Sequence, residues 1–206
     1  MKREFKFYGW DKADVAPVNK EYELIADPKE LYVLLTEVWC KETCAPRMRD
    51  NWTKENMTYG QCSITAFLAQ DIFGGKVYGV PRPDGNFHCY NVVDDCVFDL
   101  TSEQFGDEVL SYEGNPEQSR DEHFAKAEKF ERYQYLKVEL DKKLLKLKQL
   151  KLIDGAARGN IDAAAGLAQG YFDGNFGEKN LAKAKKWASY AAKHGSAAAQ
   201  ELLSKI

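Results

Sequence analysis

Residues 59–75 read Tyr59-Gly60-Gln61-Cys62-Ser63-Ile64-Thr65-Ala66-Phe67-Leu68-Ala69-Gln70-Asp71-Ile72-Phe73-Gly74-Gly75. Gly60 breaks the chain, and an apolar run with Ile64, Ala66, Phe67, Leu68 and Ile72 follows. Gly74-Gly75 then stops it. That pattern predicts a buried helix over Cys62–Phe73 with a glycine end. A cysteine therefore opens a helix. There the positive end of the helix dipole favours a thiolate, and free backbone N–H groups can hold an oxyanion.

Downstream, Lys76–Val80 reads as a strand and Pro81-Arg82-Pro83-Asp84-Gly85 as a turn. Phe87–Val93 and Cys96–Leu100 alternate around Asp94-Asp95, which predicts a hairpin. This places His88 and Asp99 on adjacent strands, and the order Cys62, His88, Asp99 is that of a nucleophile, its base and the base's orienting carboxylate. His88 is the one histidine in the strand region, whereas His123 and His194 sit in polar helical stretches and read as surface residues. Asn91 falls three positions after His88, on the opposite strand face, so Asp99 is preferred as the third member and Asn91 reads as a supporting residue of the site. Gln61 reads as an oxyanion donor or as a structural amide. Trp52 reads as a cleft residue or as core.

Upstream, residues 1–27 read as an irregular arm or an edge strand. Asp27-Pro28 gives a helix start, and the apolar spacing continues through Val38 and Trp39. Residues 106–117 form a polar loop. Residues 118–153 are strongly helical and charged, with leucines in stripes, and read as a solvated amphipathic helix on a core.

The chain of 206 residues has 29 basic and 32 acidic side chains, a balance that gives no support to a nucleic-acid surface or a polybasic membrane anchor. No apolar run approaches membrane-span length, and the charged start lacks the apolar segment of a secretory signal. Five cysteines without a paired framework suit a reducing cytoplasm. Their spacings lack the C-x2-C pairs of a zinc site, so no metal and no other cofactor is expected.

These motifs resemble the transglutaminase-like branch of the papain-fold cysteine enzymes. They are Gly60-Gln61-Cys62, His88 with Asn91, and Asp99-Leu100-Thr101. A closer resemblance is to small bacterial proteins of the YunG-like type. It rests on Trp52, Gly60-Gln61-Cys62-x-x-Thr65-Ala66, Gln70-Asp71-x-Phe73-Gly74-Gly75, His88-x-x-Asn91, Asp99-Leu100-Thr101-x-x-Gln104-Phe105 and the pair Arg132-Tyr133. It covers about residues 30–140. Ser63 stands where animal transglutaminases have Trp after the cysteine. The resemblance implies an α+β, papain-like core over residues 28–117, with Cys-His-Asp acyl chemistry on an amide or peptide-like substrate: hydrolysis, deamidation or transfer to an amine. The alternative is a non-catalytic interaction protein built on a degenerate core.

Beyond residue 153, Ala156-Ala157-Arg158-Gly159-Asn160 is echoed by Ala192-Lys193-His194-Gly195-Ser196, thirty-six positions between the glycines. A period of that size signals a helical solenoid unit. The stretch 154–206 resembles a Sel-one-like, tetratricopeptide-type repeat, which implies a protein partner. Ala165, Gly166, Leu167, Tyr171, Gly174, Gly177, Lys183, Ala184, Trp187, Ala191, Ala192 and Gly195 carry the likeness.

Overall fold

A computed structural model describes residues 6–206; the charged start, Met1–Phe5, lies outside them. The described residues divide into two compact units, 6–140 and 141–206. The fold class is α+β, with a small antiparallel sheet and a C-terminal helical region.

In the first unit α1 covers Pro28–Thr36. Asp27 caps it by accepting from the Glu30 N–H at 2.9 Å, with Pro28 at the first helical position. The sequence reading carries this helix on to Trp39, but it ends three residues earlier. Val38 and Trp39 are buried all the same, and the Trp39 indole N–H donates to Thr65 Oγ1 at 3.0 Å. Their apolar spacing reflects burial in a turn, not helix.

Helix α2, Cys62–Phe73, matches the sequence reading. It is buried on nearly every side, from Ile64 to Ala69 and again at Ile72 and Phe73. This is what an all-round apolar helix requires. Gly75 ends the run with φ +71°, and a Cβ there would sit 2.3 Å from the Val92 carbonyl oxygen. Only glycine lets the chain turn this closely into the sheet.

Strands β1 (Lys76–Pro81), β2 (Phe87–Val93) and β3 (Cys96–Phe98) form an antiparallel meander in the order β1-β2-β3. Val93 pairs with Cys96, leaving Asp94-Asp95 as a two-residue turn with Asp94 at positive φ. Cys89 packs with Ala66, Phe67 and Val77, so β2 lies against α2. Among its described residues the early arm makes one bridge, Tyr8 to Asp99, and two short 3-10 turns, rather than an edge strand.

Helix α3 (Arg120–Phe124) and helix α4 (Ala127–Ala157) follow. The break at Ala125-Lys126 falls in residues that favour helix, so the sequence carries no sign of it. Tyr133, Leu136 and Leu140 bury one stripe of α4. The unit boundary lies within α4, so the segment 118–153 is divided between the two units.

The second unit contains the end of α4 with α5 (Ile161–Asp173), α6 (Leu181–Lys193) and α7 (Ala197–Leu203). Its core is built mostly from alanines, with Leu167, Tyr171 and Leu202 among them. The echoed glycines occupy equivalent joints. Gly159 and Gly195 both have positive φ, at the ends of α4 and α6. The next residue donates back five positions, Asn160 N to the Gly155 oxygen and Ser196 N to the Ala191 oxygen, both at 3.0 Å. That is a Schellman stop, and the same Asn160 or Ser196 side chain then caps the following helix.

Candidate functional site

Cys62 opens α2 where Gly60, at φ +71°, brings the backbone against Cys44; a Cβ on Gly60 would lie 2.6 Å from the Cys44 Sγ. The thiol is half-buried and faces a cleft of about 600 Å³ between the α2 start, the Asn86-Phe87 turn and the α3–α4 corner. His88 follows Phe87 on β2. Continuing the β2–β3 register sets Asp99 opposite Tyr90, two residues from His88. Asp99 and His88 are therefore diagonal neighbours on one sheet face. Both are almost wholly buried, and His88 Nε2 lies 2.5 Å from Asp99 Oδ2. With Nε2 on the carboxylate, Nδ1 is the ring nitrogen left for Cys62, which lies close enough for the thiol and the ring to shift each other's protonation.

The structure thus brings Cys62, His88 and Asp99 together. Asp99 also accepts from the Thr101 N–H at 3.0 Å, the Thr101 hydroxyl at 3.1 Å and the Tyr112 hydroxyl at 2.9 Å. The Phe105 ring meets the imidazole edge-on at 4.6 Å between centroids. Gln104 sits beside the site: the Gly60 N–H donates to its Oε1 at 3.4 Å, and its Nε2 donates to the Thr101 carbonyl at 2.8 Å.

These contacts set the protonation states. The Cys62 thiol is held well below its ordinary value, first by a hydrogen bond from the Cys89 thiol, then by the hydrogen bond and charge of His88; burial opposes both. The Cys89 thiol is pushed well above its ordinary value, chiefly by the same hydrogen bond to Cys62 and by burial. Burial disfavours the charged His88 ring, but the Asp99 carboxylate and the Cys62 thiolate outweigh it and raise its pKa to about 10. These shifts favour the Cys62 thiolate beside the His88 imidazolium over the neutral pair. Such a pair supplies a nucleophile and a proton donor in one contact.

The remaining candidates have other partners. Gln61 is fully buried and does not line the cleft; its Nε2 donates to the Cys40 carbonyl at 3.1 Å, and its Oε1 has no hydrogen-bond partner among the described residues. Asn91 Nδ2 donates to the Ala66 carbonyl at 2.8 Å and ties β2 to α2. The Trp52 indole N–H donates to the Met57 carbonyl at 3.0 Å, and Trp52 is not among the residues lining the cleft.

Sequence reasoning missed three participants. His123, read as a surface residue, is half-buried against Phe67 and lines the cleft. Burial, with Lys129 alongside, lowers its pKa to about 3 and keeps the ring neutral. The signal was its neighbour Phe124, which packs on Phe67 and carries the short helix inward. Tyr112 sits in a polar loop whose sequence does not point to Asp99. Arg132 is buried on α4: its Nε donates to the Thr43 carbonyl at 3.0 Å and Nη2 to the Gly60 carbonyl at 3.3 Å, while Nη1 meets Glu128. It fixes the chain just before Gln61-Cys62.

A protein of Bacillus subtilis (strain 168), described as uncharacterized protein YunG, is 37% identical over 97 residues, which is 47% of this chain and 81% of that protein. No solved structure matches the chain significantly. The model of the YunG protein family matches residues 27–145, more than half of the chain and every residue of the Cys62 cleft described above, and on that match the chain belongs to the YunG family.

Proposed function

We propose that the chain is a cysteine hydrolase or acyltransferase acting on an amide or peptide-like substrate through Cys62, His88 and Asp99, with a papain-like, transglutaminase-like core. The observation that carries this reading is the buried His88–Asp99 pair, within hydrogen-bonding reach of a cysteine at a helix N-terminus that opens on a cleft. The Cys62 thiolate attacks the amide carbon, a C–S bond forms and the carbonyl oxygen becomes an oxyanion. Backbone N–H groups at the start of α2 are the donors placed for it. The His88 imidazolium gives its Nδ1 proton to the amide nitrogen, the C–N bond breaks and a thioester remains. Neutral His88 then takes a proton from water or an amine, which displaces Cys62 as thiolate. Asp99 holds the ring by Nε2 throughout and balances its charge.

Five free cysteines favour a reducing, cytoplasmic setting for this chemistry. No described helix is long and apolar enough to cross a membrane. The helices of residues 141–206, with their repeated glycine joints, are in this reading a Sel-one-like unit that engages a protein partner.

Site-resolved alkylation by iodoacetamide across pH tests the proposal. Cys62 is expected to react at pH 6 at least about tenfold faster than Cys40, Cys44, Cys89 and Cys96, because thiolate fraction sets the rate. His88→Ala is expected to remove that advantage. A Cys62 no faster than its neighbours rules out a preformed nucleophile and leaves the core as a scaffold for interaction.

A further inference from the structure

Where the α3–α4 corner lines the cleft it presents three cations, Lys126, Lys129 and Arg132, and one carboxylate, Glu128. Arg132 is paired with Glu128 at 3.3 Å, and Arg47 faces Asp84 at 3.7 Å. Lys126 and Lys129 also line the cleft, and neither makes an ion pair among the described residues. Lys129 is half-buried and bonds the His123 Nδ1 at 3.2 Å. That imidazole is neutral and cancels none of the ammonium charge. Burial lowers the Lys129 pKa, with Lys126 adding repulsion. A half-buried ammonium without a carboxylate costs folding free energy, and such groups gather where a ligand supplies the missing charge.

The triad does not remove the excess. Asp99 balances the His88 imidazolium, and Glu128 offsets Arg132. The Cys62 thiolate, which acts on Lys129, offsets one lysine and leaves one positive charge over.

Resting on the acyl-transfer reading, we propose that the Cys62 cleft takes an amide whose flanking group is a carboxylate, seated against Lys126 and Lys129. The scissile carbonyl then lies at Cys62 and the acid group toward the α3–α4 corner. One carboxylate completes the charge balance. An amide flanked by a cationic group meets repulsion from the same wall.

Iodoacetate and iodoacetamide are nearly the same size and differ in charge, so their rate ratio at Cys62 measures the wall without any known substrate. The ratio is read in the full chain, in Lys126→Gln, and in Lys126→Gln/Lys129→Gln. Cys96 serves as the internal reference. His88 favours iodoacetate in all three proteins, so the change between them isolates the lysines. The iodoacetate preference is expected to fall about threefold or more in the double variant and to shrink in high salt. Lys126 is exposed, so its single variant keeps the fold and is expected to give a smaller fall in the same direction. A Cys62 that is fast toward iodoacetamide, with a ratio unmoved by either variant, overturns the carboxylate inference alone. A Cys62 slow toward both reagents overturns the acyl-transfer reading and this inference with it.

Discussion

Cys62 and His88 shift in opposite directions, and that gives the pair a distinctive pH signature. Unfolded, the thiol titrates at about 8.5 and the imidazole at about 6.5. Folded, Cys62 is depressed well below its value and His88 rises to about 10. Wherever folded Cys62 is ionised and His88 charged, the folded pair binds one proton, as the unfolded pair does between about pH 6.5 and 8.5, so the pair's stabilisation is flat there. It is lost at lower pH as Cys62 takes a proton, and at higher pH as His88 releases one near 10. Cys62→Ser removes the thiolate's share of the upward shift of His88 and leaves Asp99 as the charge that holds the ring protonated. Stability in that variant is expected to decline from pH 6.5 upward, by up to about 1.4 kcal/mol per pH unit relative to wild type. Urea unfolding at pH 6.5 and 8.5 checks it; parallel behaviour of the two proteins would show that the imidazole is not held charged.

At the scale of elements, the site depends on how α4 is fastened to the loop before α2. Arg132 satisfies two buried carbonyls, those of Thr43 and Gly60, with one planar group. Arg132→Met leaves both oxygens without that donor and is expected to cost about 2–4 kcal/mol, as loss of hydrogen bonds to a charged group does. Arg132→Lys restores the charge but not the fork, and is expected to recover less than half of that loss. Full recovery by lysine would mean that charge, not geometry, sets the position of Gly60. The elements themselves were legible in different degrees. Helix α2, strand β1 and the β2–β3 hairpin could be read because Gly60, Gly74-Gly75, Pro83-Asp84-Gly85 and Asp94-Asp95 punctuate them. With the hairpin read, His88 and Asp99 came together. The end of α1 and the break between α3 and α4 were not legible, since no glycine or proline marks either. Tyr112 reaches the site through a contact distant in sequence and carries no local trace, whereas His123 is signalled only by its neighbour Phe124 and Arg132 only by the pair Arg132-Tyr133.

For the whole molecule, the family match ends at residue 145, five positions past the unit boundary, and every residue of the Cys62 cleft lies within 6–140. The helices of 141–206 have a separate core in which alanines allow close helix approach and Leu167 fills the space between them, fully buried. Gly170 shows how tight that packing is: a Cβ there would lie 2.0 Å from the Phe176 ring. Leu167→Ala empties a site that alanine-rich helices have few large side chains to refill, so it is expected to destabilise this unit by about 2–5 kcal/mol. Because no residue of that core belongs to the cleft, the Cys62 alkylation rate and its pH profile are expected to stay at wild-type values under conditions where the variant remains folded. Circular dichroism on heating gives the first quantity and mass-resolved labelling the second. A melting temperature that falls while Cys62 keeps its reactivity assigns the helical unit a role other than building the nucleophile. A fall in both would mean that the two units fold as one cooperative body and that the cleft depends on the helices beyond it.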